Sequence, residues 1–148
     1  WSVDSPNLYW VRTEIIQNGK VVDSTDSRFG IRYIATDPNS GFYLNGVHTK
    51  LNGVCEHSDL GSLGMETYQA AVDRRIRTLK KYGVNAIRTS HNPVSPEFIE
   101  ACDRLGMLVF EEAFDQWLYS KNSDDYHNYF NKAADGKTGG DTGKDTGI

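Results

Sequence analysis

Apolar positions along the chain fall into two regimes. In the first, up to about residue 51, they alternate or come in short runs between turn formers. Val11, Thr13 and Ile15 alternate with Arg12 and Glu14, the period of a half-buried strand. Asn18-Gly19 supplies a two-residue turn, because both residues tolerate positive φ. Val21-Val22 opens the return strand, so residues 8–24 predict a hairpin. Phe29 to Ile34 predicts another strand. Asp37-Pro38-Asn39-Ser40-Gly41 is a cluster of turn formers and the predicted domain boundary. Phe42-Tyr43-Leu44, an Asn45-Gly46 turn and Val47 to Leu51 then predict a second, smaller hairpin. No helical period occurs here, which fits the end of an antiparallel sandwich.

The second regime mixes helical periods with short continuous apolar runs. Leu51 to Cys55 predicts a strand running into Glu56-His57-Ser58-Asp59. Tyr68, Val72, Ile76 and Leu79 form an apolar stripe at helical spacing, predicting a helix over 67–82 that Gly83 ends. Arg74, Arg75, Arg77, Lys80 and Lys81 are read as mainly its solvated face. Val84 to Arg88 is a second buried strand, running into Thr89-Ser90-His91-Asn92-Pro93. Ser95-Pro96-Glu97 has the form of a helix start, with Ser as N-cap, Pro at the first position and Glu in the first turn. Phe98, Ile99, Cys102 and Leu105 are that helix's buried stripe, and Gly106 ends it. Met107 to Phe110 is a third strand, followed by Glu111, Glu112, Asp115, Gln116 and Trp117. Strand, helix, strand, helix, strand is the opening of a parallel α/β fold, either a doubly wound sheet or an eight-fold barrel. Working residues in such folds sit beyond the carboxyl ends of the strands. A full eight-fold barrel needs about 250 residues, so only its first three strands fit. The predicted organisation is sandwich strands over 1–37, the opening of that α/β domain over 38–132, and a disordered polar tail over 133–148.

Composition narrows the functional classes. The formal net charge is −4 over 148 residues, which gives no nucleic-acid footprint. No apolar run reaches the ~18 residues of a bilayer span. Trp1-Ser2-Val3-Asp4-Ser5-Pro6 has neither the basic head nor the apolar middle of a signal peptide. The chain does not begin with Met, and the expectation is an internal piece of something longer; the compartment stays open. Cys55 and Cys102 do not make a disulfide scaffold, and both are expected to be buried thiols.

Several constellations compete for the chemistry. Gly136-Lys137-Thr138 lacks the earlier glycine and flanking elements of a phosphate loop. Asp141-Thr142-Gly143 and Asp145-Thr146-Gly147 lie in a polar tail that cannot hold two carboxylates rigidly against each other. His57, Asp59, His91 and Glu112 have donor types that suit a metal, but no metal-ligand spacing supports one. Glu111 and Glu112 are adjacent and point to opposite faces, so they are not a catalytic pair; Glu112 is the candidate for the cleft. Arg88 is either a salt bridge under the sheet or a brace for a catalytic carboxylate. His91 is either a core histidine or a site residue, with its place past a strand end favouring the site. Trp117 is either core or a platform for a sugar ring.

Four segments together resemble glycoside hydrolase family 2, which includes β-galactosidases, β-glucuronidases and β-mannosidases. They are Phe29-Gly30-Ile31-Arg32; Leu44-Asn45-Gly46 with Leu51-Asn52-Gly53-Val54-Cys55-Glu56-His57; Asn85 to Pro93; and Cys102 to Glu112. The resemblance covers residues 1 to about 130. It implies the end of an immunoglobulin-like sandwich followed by an incomplete TIM barrel. It further implies retaining hydrolysis of a terminal β-glycoside, with the acid/base and nucleophile glutamates on later strands and therefore no catalytic residue in this chain. By the same resemblance Arg88 braces the nucleophile, and His57 and His91 line the sugar subsite. Asp59, Asn92, Glu112, Asp115 and Trp117 support or line it, and Asp59, Asp115 and Trp117 are similar to the β-galactosidase-like branch. Gln116 and Leu118 stand where some members have metal ligands, so no metal and no cofactor is carried over. The expected partner is a β-galactoside or oligosaccharide, with neither nucleic acid nor membrane, and the full-length enzyme is a candidate homo-oligomer. The isolated chain is expected to be inactive. A non-catalytic carbohydrate-binding fragment and a glucuronidase specificity are the alternatives.

Overall fold

The computed structural model describes residues 1–113. Two long strands, β1 (Tyr9–Gln17) and β2 (Lys20–Phe29), form an antiparallel hairpin. Asn18 and Gly19 turn it with φ of 52° and 73°, as their tolerance of left-handed backbone requires. Residues 34–48 hold β3 (Ile34–Asp37), β4 (Gly41–Leu44) and β5 (Val47–His48) in one antiparallel sheet. The turn formers at 37–41 thus close a hairpin. The Asp37 carboxylate accepts from the Asn39 and Ser40 amides and from the Ser40 hydroxyl. Those donors hold its pKa below the ordinary carboxylate value, the hydroxyl contributing most.

The strand expected over 29–34 does not form. Gly30 to Tyr33 is irregular, lying between β2 and β3. The backbone groups here are taken by partners other than strand neighbours. The Trp1 ammonium donates to Ile31 O at 2.5 Å, and Tyr33 N donates to Asn45 Oδ1 at 2.8 Å. Gly30 lies so close to Trp1 that an added Cβ would fall 2.9 Å from the Trp1 Cβ.

Three parallel strands follow: β6 (Gly53–Glu56), β7 (Ala86–Thr89) and β8 (Leu108–Glu111), in the order β6-β7-β8. Helices α1 (Gln69–Lys81) and α2 (Pro96–Leu105) return the chain between them. The Ser95 hydroxyl accepts from Phe98 N, with proline at the first turn, and Gly106 closes α2 in the left-handed region at φ 77°. These are the caps the local sequence calls for. α1 starts at Gln69, two residues later than expected, so Tyr68 is its N-cap and is exposed.

Register assigns the two faces of the sheet. Val54, Ile87 and Val109 are aligned across the three strands. They pack with Val72, Ile76, Phe98, Ala101, Cys102 and Met107 under the helices. An interlocked Asp73–Arg104 pair at 2.6 Å ties α1 to α2. Among the described residues, the opposite face is covered at its beginning. There Ala86 and Leu108 meet Trp1 and Leu44, while the Trp1 indole N–H donates to Asp103 O. Among the described residues, no helix is long and apolar enough to cross a membrane.

Candidate active site

Moving along the strands past that apolar floor, the next register row on the same face is Cys55, Arg88 and Phe110, and all three are exposed. Alternation explains the row: Ile87 and Thr89 point to the helices, so Arg88 must point away. Arg88 therefore does not lie under the sheet. Its Nη1 sits 3.7 Å from the Cys55 sulfur. Cys55, expected to be buried, is exposed for the same geometric reason, whereas Cys102 is buried in α2. Burial pushes the Cys102 thiol up to about 12.

His57 follows β6 directly and is exposed. The residue before it, Glu56, points to the helix side and pairs with Arg75 of α1, Nη1 to Oε2 at 3.0 Å. Asp59 is exposed, but one carboxylate oxygen accepts from Gly61 N, closing a tight turn on a glycine with φ 61°. That use makes Asp59 a residue that shapes the loop. Arg75 and Lys80, counted with the solvated face, turn inward. Lys80 Nζ donates to the carbonyls of Val3, Leu105 and Gly106. Sequence reading missed them because both fall at the border of the apolar stripe, where a long side chain can point either way.

His91 and Glu112 form a separate small cluster. His91 Nδ1 lies 3.0 Å from Glu112 Oε2, and the Glu112 side chain is 17% exposed. A carboxylate at one imidazole nitrogen fixes the tautomer and aims the other nitrogen outward. Asn92, next to His91, is exposed. Glu111 ends β8 in register with Thr89, and Glu112 lies one residue past the strand. Asp115 and Trp117 lie outside the described residues, as does the polar tail. No group of three or more His, Cys, Asp or Glu side chains among the described residues is arranged to hold a metal.

The arrangement can bind polar groups and orient a charge. Arg88 supplies fixed donors above an apolar floor, and the His91–Glu112 pair supplies an oriented imidazole.

Comparison with known proteins gives this geometry a family. The TIM barrel domain of the glycosyl hydrolases family 2 matches residues 36–138, and a further glycosyl hydrolases family 2 domain matches residues 1–32. The β-galactosidase BoGH2A of Bacteroides ovatus is 45% identical over 132 residues, covering 89% of this chain and 16% of that protein. A putative β-glucuronidase of Formosa agariphila is 43% identical over 126 residues, covering 85% and 12%. A crystal structure of a glycosyl hydrolase family 2 member from Bacteroides cellulosilyticus superposes with a TM-score of 0.83 at 48% identity, covering 90% and 17%. The chain thus spans between 12% and 17% of the length of these relatives. With both domain matches in order along the chain, it belongs to glycoside hydrolase family 2.

Proposed function

We propose that this chain forms the first part of the sugar-binding wall of a retaining β-glycosidase acting on terminal β-D-galactosides. The observation that carries the reading is the register row. Cys55, Arg88 and Phe110 stand side by side on the face turned away from α1 and α2, above the floor of Ala86 and Leu108, with His57 just past β6. Three adjacent strand ends of a parallel sheet opening on one side make a wall to which a pyranose can be held. The β-galactosidase name of a relative 45% identical over 132 residues supports the choice of sugar.

In this reading residues 1–37 end an immunoglobulin-like sandwich and 38–132 open the barrel. The acid/base and nucleophile glutamates belong to later strands, so this chain performs no covalent step itself. Arg88 holds a catalytic carboxylate ionised by placing a fixed positive charge beside it. His57 and His91 bind sugar hydroxyls, Glu112 sets the tautomer of His91, and Asp59 and Asn92 shape the wall. The resemblance assigns Asp115 and Trp117, which lie outside the described residues, to the same subsite. No metal or cofactor is assigned to this chain, and a homo-oligomer is the expected assembly.

The test is a graft. Residues 1–132 replace the matching segment of the Bacteroides ovatus β-galactosidase, and hydrolysis of p-nitrophenyl β-D-galactoside and β-D-glucuronide is measured. Retained galactoside hydrolysis is the expected result, with Arg88→Ala lowering kcat/KM by about 100-fold or more. A folded graft that hydrolyses neither substrate overturns the reading. One that prefers the glucuronide instead supports the second specificity, which the putative β-glucuronidase 43% identical over 126 residues favours. The ungrafted 148-residue chain is expected to release no p-nitrophenol.

A further inference from the structure

Arg75 makes two bonds to the segment that follows β6, one at each end of a short stretch. Nη1 reaches the Glu56 carboxylate at 3.0 Å, and Nη2 donates to the backbone carbonyl of Asp59 at 2.5 Å. Between those two points lie only His57 and Ser58. Glu56 ends β6 and its carbonyl already accepts from Ser90 N at 2.8 Å, so the guanidinium, using different nitrogens of one planar group, sets where residue 59 lies relative to that fixed strand end.

Among the described residues, the loop's large apolar side chains are mostly exposed. Leu63 is 54% exposed and Met65 is 77% exposed. A cavity of about 40 Å³ lies behind the loop, lined in part by Arg75, Val72 and Phe98. The loop's other backbone bonds are internal, Leu60 N to Gly64 O and Gly64 N to Gly61 O, and the Asp59 carboxylate turns back on Gly61. Those bonds give the loop a shape. The guanidinium anchors that shape to the helix layer, whose core residues Val72 and Ile76 flank Arg75 in sequence and are buried.

We propose that Arg75 is the positioning residue of the sugar wall: it acts through the 56–59 bracket to hold His57 at the mouth of the site. This rests on the function proposed above. Arg75 points to the helix side and touches no sugar. Its effect on hydrolysis passes through His57. Lysine cannot replace it, since a single ammonium on a flexible stem does not present two separated donors in a fixed plane.

Two measurements test this. In the full 148-residue chain, Arg75→Gln should speed amide hydrogen exchange at residues 57–61 by about tenfold while the amides of β7 and β8 are unchanged. Equal acceleration across α1 and the sheet means a purely structural brace and overturns the proposal. In the graft, Arg75→Gln should raise KM for p-nitrophenyl β-D-galactoside by about tenfold with kcat held, since misplacing a binding group costs affinity. Arg75→Lys should fall between wild type and Arg75→Gln, and serves if the glutamine variant does not fold. Arg74→Gln on the exposed face should match wild type. On a His57→Ala background, Arg75→Gln should add nothing further, because the two act in one chain of cause. Additive losses, or an unchanged KM in an active graft, sink the Arg75 proposal alone. A folded but inactive parent graft sinks the glycosidase reading instead.

Discussion

The β1–β2 hairpin and the β6–β8 sheet are both regular, but they are held in opposite ways. Every residue of β1 and β2 is exposed, including Ile15 at 58% and Ile16 at 63%. In β7, Ile87 is 1% exposed and Thr89 is fully buried. The hairpin has its turn, its ladder and three cross-strand contacts, an ion pair from Arg12 to Asp26 at 2.7 Å, Arg28 over the Trp10 ring and Tyr9 beside Phe29, and Arg28 also reaches Glu100 of α2 at 2.9 Å. It has no layer facing either side among the described residues. The parallel sheet carries its own cover, because each crossover helix must return over the same face to reach the next strand. An antiparallel hairpin can satisfy its backbone from a two-residue turn, but it needs a second sheet to bury its alternating side chains. The same lesson separates the two faces of β6–β8. The helix face is closed by local connectivity, whereas among the described residues the apolar cover of the site face stops at Leu108.

The sharpest way to break this comparison is to remove the same atoms from both regions. Ile87→Ala should destabilise the chain by about 3 kcal/mol in urea denaturation, while Ile15→Ala should change it by less than about 0.5 kcal/mol. Similar losses at both positions would mean the hairpin is buried in solution. Next, Gly106→Ala should cost about 2 kcal/mol. Its left-handed φ disfavours a side chain, and the new Cβ would collide with Val3 O and crowd Lys80 Nζ. A neutral result would mean that the Val3–Lys80–Gly106 knot does not hold the helix layer.

A smaller effect should appear in acid. The Arg104 guanidinium, then Gln69, hold the Asp73 carboxyl below its ordinary value. The unfolded chain therefore takes up that proton first as pH falls. The pair's contribution is whole above about pH 4 and is lost as pH drops through the depressed folded value. The stability difference between wild type and Arg104→Ala, followed from neutral pH downward, should shrink in that window; a difference independent of pH would refute the pairing. Smallest of all in stability terms is a labelling contrast. A thiol reagent at neutral pH should modify the exposed Cys55 and spare Cys102 until the chain unfolds, since burial suppresses the Cys102 thiolate. Equal labelling would place both cysteines on the same side of the cover.

Most of the fold was legible because its signals are local. Asn18-Gly19 announces a turn through the backbone those residues tolerate, and Ser95-Pro96 announces a helix start through orphan amides. Three strands ending in polar residues announce a sheet with one working end. The errors arose where a residue's partner is distant in sequence. Phe29 to Ile34 has strand-forming side chains, yet Trp1 and Asn45 claim its backbone. Tyr68 fits the apolar stripe but caps the helix instead.

The site divides along the same line. Amino-acid order alone determined that His57, Arg88, His91 and Glu112 follow or end strands, because strand periodicity is written residue by residue. Only the tertiary structure decided that Arg88 shares an open row with Cys55 and Phe110, that Glu112 meets His91, and that Arg75 reaches back to residues 56 and 59. Register and side-chain reach depend on which distant backbone lies alongside, and neighbours along the chain carry no record of that.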